Sequence, residues 1–268
     1  MGKWTDFPGW AVPSEENKSR CALFKKSRFA YNGVENGIRY YENPSGKSGL
    51  PLVIFLHGAD AFGTDNEGQI ALHDVATVFA DSKWQSIHPC HIVAPQYPRG
   101  RHWAIPTMRK YVYELTMEYA NKLSVDMSRI YIYGYSAGAI GILSILKEYD
   151  IYAAAVPICG STDKKDLDKL LHTPIWLYHA EDDPMVKADE FEVVFYKDPQ
   201  IGSRVIYERL RELGHKNIRY TEIEADKMKS EYSLHPHCSW VLMGEDKAVK
   251  EWMFNQRKHP DRESISLP

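Results

Sequence analysis

Residues 130–138 read IYIYGYSAG, and this stretch decides the fold. A run of strand-forming residues leads directly into Gly134-Tyr135-Ser136-Ala137-Gly138, and residues 137–147, rich in Ala, Ile and Leu, read as a helix. A G-x-S-x-G motif between a strand and a helix places its serine on a sharp turn above a parallel sheet. The flanking glycines remove side chains that would clash in so tight a bend. The motif therefore predicts Ser136 as a nucleophile.

Short runs rich in Val, Ile and Tyr alternate with helical patterns along the rest of the chain, which predicts an α/β fold with a mostly parallel sheet and helices on both faces. The expected strands cover residues 22–31, 38–43, 51–57, 91–96, 130–135, 153–158, 175–179 and 218–223. The expected helices cover residues 69–79, 108–122, 137–147, 203–213 and 247–256. The first two strands should form an antiparallel edge, and the later six should be buried and parallel.

The length and bulk composition favour one compact domain over residues 1–268, with its core over about residues 22–257. No repeat, low-complexity tract or linker divides the chain. The net charge of −3 combines 33 basic and 36 acidic residues, so we expect no nucleic-acid partner. The first ten residues lack the apolar run of a signal peptide, and no long apolar segment follows, so we expect a cytoplasmic protein without membrane contact.

The four cysteines are widely spaced, none is in a C-x-x-C pair, and the histidines add no zinc-like spacing. We therefore expect reduced thiols and neither a metal nor another cofactor. The composition leaves the oligomeric state open.

An acid partner for Ser136 should lie in a loop that follows a parallel strand, because ligands bind beyond the carboxyl ends of such strands. The run Ala180-Glu181-Asp182-Asp183-Pro184 follows the strand at 175–179 and lies downstream of Ser136, in the chain order serine, acid, histidine. Pro184 biases the backbone of Asp183 toward an extended conformation. We therefore choose Asp183 as the acid, with Asp182 as the alternative.

A general base should follow the acid, and four histidines do: His215, His235, His237 and His259. His215 precedes the last strand, which puts it at the opposite end of the sheet, and His259 belongs to the tail. His235 and His237 lie in the loop after the last strand. We choose His237, and the competing interpretation is a surface histidine in a polar loop.

Backbone N–H groups should stabilise an oxyanion beside Ser136. Ala137 opens the helix after the nucleophile, so its N–H is one expected donor. His57-Gly58-Ala59 follows the strand at 51–57 and lies at the same end of the sheet, so the N–H of Ala59 is the expected second donor.

With these residues in place, the sequence resembles the capless α/β-hydrolases related to polyhydroxybutyrate depolymerases, feruloyl and acetylxylan esterases, and the prolyl-oligopeptidase-like group. The likeness covers about residues 38–257 and lies in residues 55–59 with 63–66, 93–96, 130–138, and 179–186 with 237–240. It implies the α/β-hydrolase fold and esterase chemistry without a cofactor. It also implies nucleophile, acid and base roles for Ser136, Asp183 and His237.

The expected substrates are small to medium carboxylic esters, with acetyl or feruloyl esters of carbohydrates as one class. Trp103 and Trp240 are candidates for substrate contact, and core packing is the competing interpretation of each. The long connection at 187–202 contains Phe191, Phe195 and Tyr196, which we expect to form a wall of the acyl pocket unless they form a separate apolar cluster. The alternatives to an esterase are a small serine peptidase or amidase and a non-catalytic ligand-binding protein.

Overall fold

A central eight-stranded sheet organises the computed structural model, which describes residues 7–192 and 198–258. The strands of this described part are β1 (Lys25–Tyr31), β2 (Val34–Tyr41), β3 (Leu52–Leu56), β4 (His91–Pro95), β5 (Ile130–Tyr135), β6 (Ala154–Ile158), β7 (Ser161–Asp163), β8 (Ile175–Ala180), β9 (Glu190–Phe191), β10 (Gln200–Gly202) and β11 (Ile218–Ile223). The large sheet has the order β1-β2-β4-β3-β5-β6-β8-β11, and β7, β10 and β9 form a second, three-stranded sheet.

Helices cover both faces of the large sheet. They are α1 (Glu15–Cys21), α2 (Gly68–Ala71), α3 (Ser82–Ile87), α4 (Pro106–Lys122), α5 (Ala137–Leu146), α6 (Ser203–Glu212), α7 (Lys227–Ser230), α8 (Trp240–Glu245) and α9 (Lys247–Phe254). Short 3₁₀ turns cover Ala59–Ala61, Asp74–Ala76, Val78–Ala80, Leu167–His172 and Pro236–Cys238. No helix within residues 7–192 and 198–258 is long and apolar enough to cross a membrane.

The strand directions confirm the predicted fold class. β1 and β2 are antiparallel, β2 is antiparallel to β4, and every other pair in the large sheet is parallel. The β1–β2 turn is Asn32-Gly33, with φ of +46° and +74°, as a two-residue hairpin turn of this composition favours. β2 therefore begins at Val34, four residues before the predicted start.

The large sheet separates two apolar layers, because successive side chains of a strand point to opposite faces. On β3, Val53 and Phe55 pack into one layer, and Ile54 and Leu56 pack into the other. The prediction of six buried strands fails only at β11. Most of its residues are partly exposed because it is the last strand of the sheet.

The predicted helix at residues 69–79 is wrong. α2 ends at Ala71, and two 3₁₀ turns follow it. His73 is extended there, with φ of −145°, and its ring is held by the buried carboxylate of Asp60. A contact with a distant loop therefore overrides the helical periodicity of this segment.

The predicted connection at residues 187–202 also contains regular structure. β9 and β10 lie in it, and β10 pairs with β7, which is far away in the sequence. A Cβ at Gly202 would lie 1.9 Å from the carbonyl oxygen of Lys187, so the two ends of this segment pack against each other. Residues 193–197, with Phe195 and Tyr196, lie outside the described residues.

Candidate active site

Ser136 lies on the sharp turn between β5 and α5. Its backbone has φ of +52° and ψ of −120°, a strained conformation for a residue with a side chain. A Cβ at Gly134 or at Gly138 would lie 2.2 or 2.0 Å from the carbonyl oxygen of Leu56. The turn therefore packs so closely against the end of β3 that both flanking positions need glycine.

The structure brings the three predicted side chains into one hydrogen-bonded chain. The Ser136 hydroxyl lies 3.0 Å from Nε2 of His237, and Nδ1 of His237 lies 2.6 Å from Oδ2 of Asp183. In the neutral tautomer that fits these contacts, Nδ1–H donates to the carboxylate and Nε2 accepts from the hydroxyl. His237 and Asp183 are buried, whereas Ser136 is partly exposed. Of these three residues, Ser136 is therefore the one that solvent can reach.

The hydrogen bonds of the structure distinguish Asp183 from its neighbour Asp182. Oδ1 of Asp183 accepts from the backbone N–H groups of Met185 and Val186, which aims Oδ2 at His237. Oδ2 of Asp182 instead accepts from the backbone of Asp226. The geometry therefore joins Asp183, and not Asp182, to the histidine.

His235 has a different task from His237. Its Nδ1 accepts from the backbone N–H of His237, which fixes the 3₁₀ turn Pro236–Cys238. Its own N–H donates to the carbonyl oxygen of Gly9. His235 therefore shapes the backbone from which the His237 ring projects.

Asp183 and His237, which are both buried, shift each other's pKa values. Burial raises the pKa of the Asp183 carboxyl, but His237 and His179 outweigh burial and hold that pKa well below its usual range. Burial lowers the pKa of His237, but its interactions with Asp183 and with Cys159 together outweigh burial and raise this pKa well above 6.5. The carboxylate therefore favours a proton on the histidine, as a general base requires.

His179 is a second partner of the acid that the sequence analysis missed. Its Nε2 lies 2.8 Å from the carbonyl oxygen of Val186 and 3.2 Å from Oδ2 of Asp183. Because both are acceptors, Nε2 carries the hydrogen, and Nδ1 accepts from the hydroxyl of Ser203 at 2.8 Å. His179 is the penultimate residue of β8, four residues before Asp183, and this position was the signal that could have found it.

Cys159 also belongs to the surroundings of the site. It is buried at the end of β6 with φ of +44°, and its sulfur and one ligand atom each of Asp183 and His237 lie within 4.8 Å of one another. These three residue types could hold a metal ion. In this arrangement the carboxylate and the imidazole are instead hydrogen-bonded to each other.

The two predicted oxyanion donors both open helical turns. Ala137 is the first residue of α5 and Ala59 the first of the 3₁₀ turn Ala59–Ala61, so neither N–H has a partner within its own helix. Gly58 allows the second turn to approach Ser136, because a Cβ there would lie 2.3 Å from the Tyr135 ring.

Asp60 and Gln96 hold this second turn in place. Asp60 accepts from the hydroxyl of Tyr135 at 2.6 Å, which links the turn to the residue before Ser136. Gln96 donates to the carbonyl oxygen of Ala61 and accepts from the backbone of Asn66. These hydrogen bonds fix the turn beside the end of β5, next to Ser136.

The predicted substrate-contact residues fall into three groups. Trp103 and Trp240 are fully buried, which favours their interpretation as core residues. The Trp103 ring donates to the carbonyl oxygen of His57, and the Trp240 ring packs 5.5 Å from that of His237. Phe191 is partly buried in β9. Phe195 and Tyr196 lie outside the described residues.

Comparison with known proteins identifies relatives at the level of structure. No protein-family model matches the chain, and no curated protein matches its sequence. The chain is similar to a thermostable esterase, with a TM-score of 0.81 and 33% identity, over 89% of this chain and 64% of that protein. It thus spans less than two thirds of the esterase's length.

Two further solved structures share the fold at lower identity. The acylaminoacyl peptidase of Pyrococcus horikoshii has a TM-score of 0.63 at 14% identity, over 88% of this chain and 42% of that protein. Est1E from Butyrivibrio proteoclasticus has a TM-score of 0.57 at 17% identity, over 85% of this chain and 97% of that protein. At these identities the likeness concerns the fold alone.

Proposed function

We propose that this chain, an α/β-hydrolase by its fold, is a serine carboxylesterase that cleaves small to medium carboxylic esters. The observation that carries the proposal is the contact of His237 with Ser136 on one side, at 3.0 Å, and with Asp183 on the other, at 2.6 Å. A hydroxyl whose proton faces a base, with the base oriented by a buried carboxylate, is the arrangement of an activated nucleophile.

In the first half of the reaction, the Ser136 oxygen attacks the ester carbonyl while His237 takes its proton. Asp183 keeps the histidine in the required tautomer and stabilises the imidazolium that forms. The backbone N–H groups of Ala59 and Ala137 bind the oxyanion of the tetrahedral intermediate. His237 then returns the proton to the departing alcohol, which leaves an acyl group on Ser136.

In the second half, water attacks the acyl group and His237 accepts the water proton. Collapse of the second tetrahedral intermediate releases the carboxylic acid and restores the Ser136 hydroxyl. The partial exposure of Ser136 supports this step, because water must reach the acyl carbon.

Acetyl or feruloyl esters of carbohydrates are the substrates we propose to test first. The likeness to a thermostable esterase supports an ester over an amide as the substrate, since this esterase has the highest sequence identity of the three proteins compared above. The same three residues could also cleave an amide, so the substrate panel must contain both bond types.

The proposal is tested by labelling with a fluorophosphonate, which reacts with activated serines. We expect the full chain to be labelled at Ser136 and the Ser136→Ala variant to remain unlabelled. Ser144→Ala is the matched control, because Ser144 lies on α5, away from His237, and its hydroxyl donates to the carbonyl oxygen of Ile140. Absence of labelling in a folded wild-type chain would refute an activated serine.

A panel of acetyl, butyryl, feruloyl and aminoacyl substrates then separates the bond types. We expect turnover of at least one ester and loss of about three or more orders of magnitude in kcat for Ser136→Ala. Turnover of aminoacyl amides alone would replace the esterase by a peptidase.

A further inference from the structure

Tyr135, the last residue of β5, contacts the short turn after β3 at two points. Its hydroxyl donates to Oδ1 of Asp60 at 2.6 Å. Its ring packs so closely on the backbone of Gly58 that a Cβ there would lie 2.3 Å from it. Ala59 lies between Gly58 and Asp60 in the chain, so one side chain holds both of its neighbours. Because a peptide bond joins Tyr135 to Ser136, these contacts set where the Ala59 N–H lies relative to Ser136.

His73 holds the Asp60 carboxylate from its other side. Oδ2 of Asp60 accepts from the Nε2–H of His73 at 2.5 Å, and both side chains are 5% exposed. Burial raises the pKa of this carboxyl, but its interactions with His73, Tyr135 and His57 together outweigh burial and hold the pKa below its usual range. An ionised carboxylate only accepts hydrogen bonds, and here each oxygen receives one. The carboxylate therefore cannot rotate without breaking a hydrogen bond.

The placement of this turn matters because an oxyanion donor works over a narrow range of distance. The donor must lie about 2.7 to 3.1 Å from the position that the oxygen takes in the transition state. A displacement of about 1 Å can cost about a hundredfold in rate. The turn closes through a backbone hydrogen bond of 3.3 Å from Ala61 to Gly58, longer than the usual distance of about 2.9 Å. Its position therefore depends on contacts from outside, including the hydrogen bond from Tyr135 to Asp60.

We propose that Asp60 and Tyr135 are positioning residues, whose hydrogen bond holds the Ala59 N–H in place to stabilise an oxyanion. Because the oxyanion forms only when Ser136 attacks an ester, this role rests on the proposed function. Neither side chain reacts with the substrate, and both act through the backbone of Ala59. Loss of their hydrogen bond therefore weakens binding of the transition state more than binding of the ester itself.

Steady-state kinetics on the best ester of the panel tests the role of the hydroxyl. Tyr135→Phe keeps the ring against Gly58 and removes the hydrogen bond to Asp60. We expect kcat to fall about five- to thirtyfold and KM to change by less than about threefold. The matched control is Tyr133→Phe, which removes a second buried hydroxyl of β5 that donates to backbone carbonyl oxygens at residues 75–76. The control should lose thermal stability and keep kcat within about threefold.

Two substitutions of Asp60 separate its hydrogen bonds from its charge. Asp60→Ala removes the acceptor of both hydrogen bonds, so kcat should fall about ten- to a hundredfold. Asp60→Asn keeps an acceptor for Tyr135 and offers an N–H to His73, whose Nε2 can accept in the other neutral tautomer. The kcat of the asparagine variant should therefore stay within about fivefold of the wild type. Thermal melts establish that each variant is folded.

Inhibition by a trifluoromethyl ketone that carries the acyl group of the best ester measures the oxyanion contact directly. The Ser136 oxygen adds to the ketone carbon, the serine proton passes to His237, and the carbonyl oxygen becomes an oxyanion with no leaving group to expel. In Tyr135→Phe, the inhibition constant should rise by about the factor by which kcat/KM falls. In Tyr133→Phe, it should change by less than about threefold.

Three results would overturn this role and leave the proposed function intact. They are equal kinetics of Tyr135→Phe and Tyr133→Phe, an unchanged inhibition constant in Tyr135→Phe, and a loss of kcat in Asp60→Asn as large as that in Asp60→Ala. The last result would mean that the charge is required and not the hydrogen bonds. If Asp60→Ala does not fold, the two phenylalanine variants decide. Neither labelling nor ester turnover in the wild-type chain would refute the proposed function, and this role with it.

Discussion

The carboxylate of Asp183 is the most heavily engaged polar group of the site. One oxygen accepts from two backbone N–H groups of its own loop, and the other accepts from His237 and His179. A carboxylate held in this way has little freedom to rotate, so it presents one oxygen to His237 in a fixed direction. His179 is itself held by Ser203, and its other ring nitrogen contacts this carboxylate.

Asp183→Asn should lower kcat by about two to four orders of magnitude, because an amide cannot stabilise the imidazolium or hold its tautomer. Asp182→Asn should change kcat by less than about threefold, since Asp182 contacts the backbone of Asp226 and not the histidine. Steady-state kinetics on the best ester of the panel measures both. Similar losses in the two variants would mean that the carboxylate contact does not serve catalysis.

The pH profile reports the charge on His237. Interactions with Asp183 and with Cys159 raise the pKa of His237 well above 6.5, and the base works only when neutral. We therefore expect kcat/KM to rise with pH through a midpoint above 6.5. In Asp183→Asn, burial remains and the charge is lost, so the midpoint of the residual activity should move to lower pH. A wild-type midpoint at or below 6.5 would contradict this electrostatic account.

At the scale of elements, the β5–α5 turn and the end of β3 form one unit. A Cβ at Gly134 or Gly138 would clash with the carbonyl oxygen of Leu56, and a Cβ at Gly58 would clash with the Tyr135 ring. Ser136 and the turn Ala59–Ala61 are therefore positioned by close backbone packing together with the side-chain hydrogen bonds of Asp60 and Gln96.

Gly138→Ala should destabilise the protein by about 2 kcal/mol or more, because a Cβ would lie 2.0 Å from a backbone oxygen that cannot move alone. In Gly244→Ala, the matched control on α8, the new Cβ would lie 3.3 Å from the Val78 side chain and 3.8 Å from Val75, so stability should change by less than about 1 kcal/mol. Denaturant unfolding measures both variants. Equal stability would show that the turn can relax.

The segment 187–202 remains our predicted wall of the acyl pocket. Alanine at Phe191, Phe195 or Tyr196 should change the ranking of kcat/KM among esters of graded acyl size, by about 1 to 3 kcal/mol where a ring contacts the acyl group. Trp103→Phe serves as a control for the loss of a buried ring contact. If all three alanine variants keep the wild-type ranking and lose only thermal stability, the segment is structural.

At the scale of the molecule, sheet order brings distant residues together. Ser136 follows β5, Asp183 follows β8 and His237 follows β11, and these strands are parallel members of the same sheet with β6 between β5 and β8. The contact from Ser136 to His237 joins residues 101 positions apart, and that from Asp183 to His237 joins residues 54 apart. The site therefore exists only when this half of the sheet is assembled.

We predict that the chain unfolds as one cooperative unit. The large sheet runs without interruption from β1 to β11, and Trp10 near the start of the chain packs against Trp240 near its end. Calorimetry should give one transition whose calorimetric and van't Hoff enthalpies agree. Two separable transitions would indicate two domains in place of the one that we propose.

The sequence by itself determined the class of the sheet, the turn that carries Ser136 and the loops that carry Asp183 and His237. These properties rest on local rules: strand-forming runs that alternate with helical patterns, the glycines that a strained turn requires, and the position of ligand-binding loops after parallel strands. The strands at 130–135 and 218–223 match β5 and β11 for this reason.

Only the tertiary structure decided which of two adjacent acids and which of two nearby histidines meet. Asp182 and Asp183 have the same chemistry, and their directions depend on hydrogen bonds to Asp226, Met185 and Val186 that no local pattern encodes. The same holds for the helix broken at His73 and for the sheet of β7, β10 and β9, because distant contacts outweigh the small free-energy preferences of a local segment.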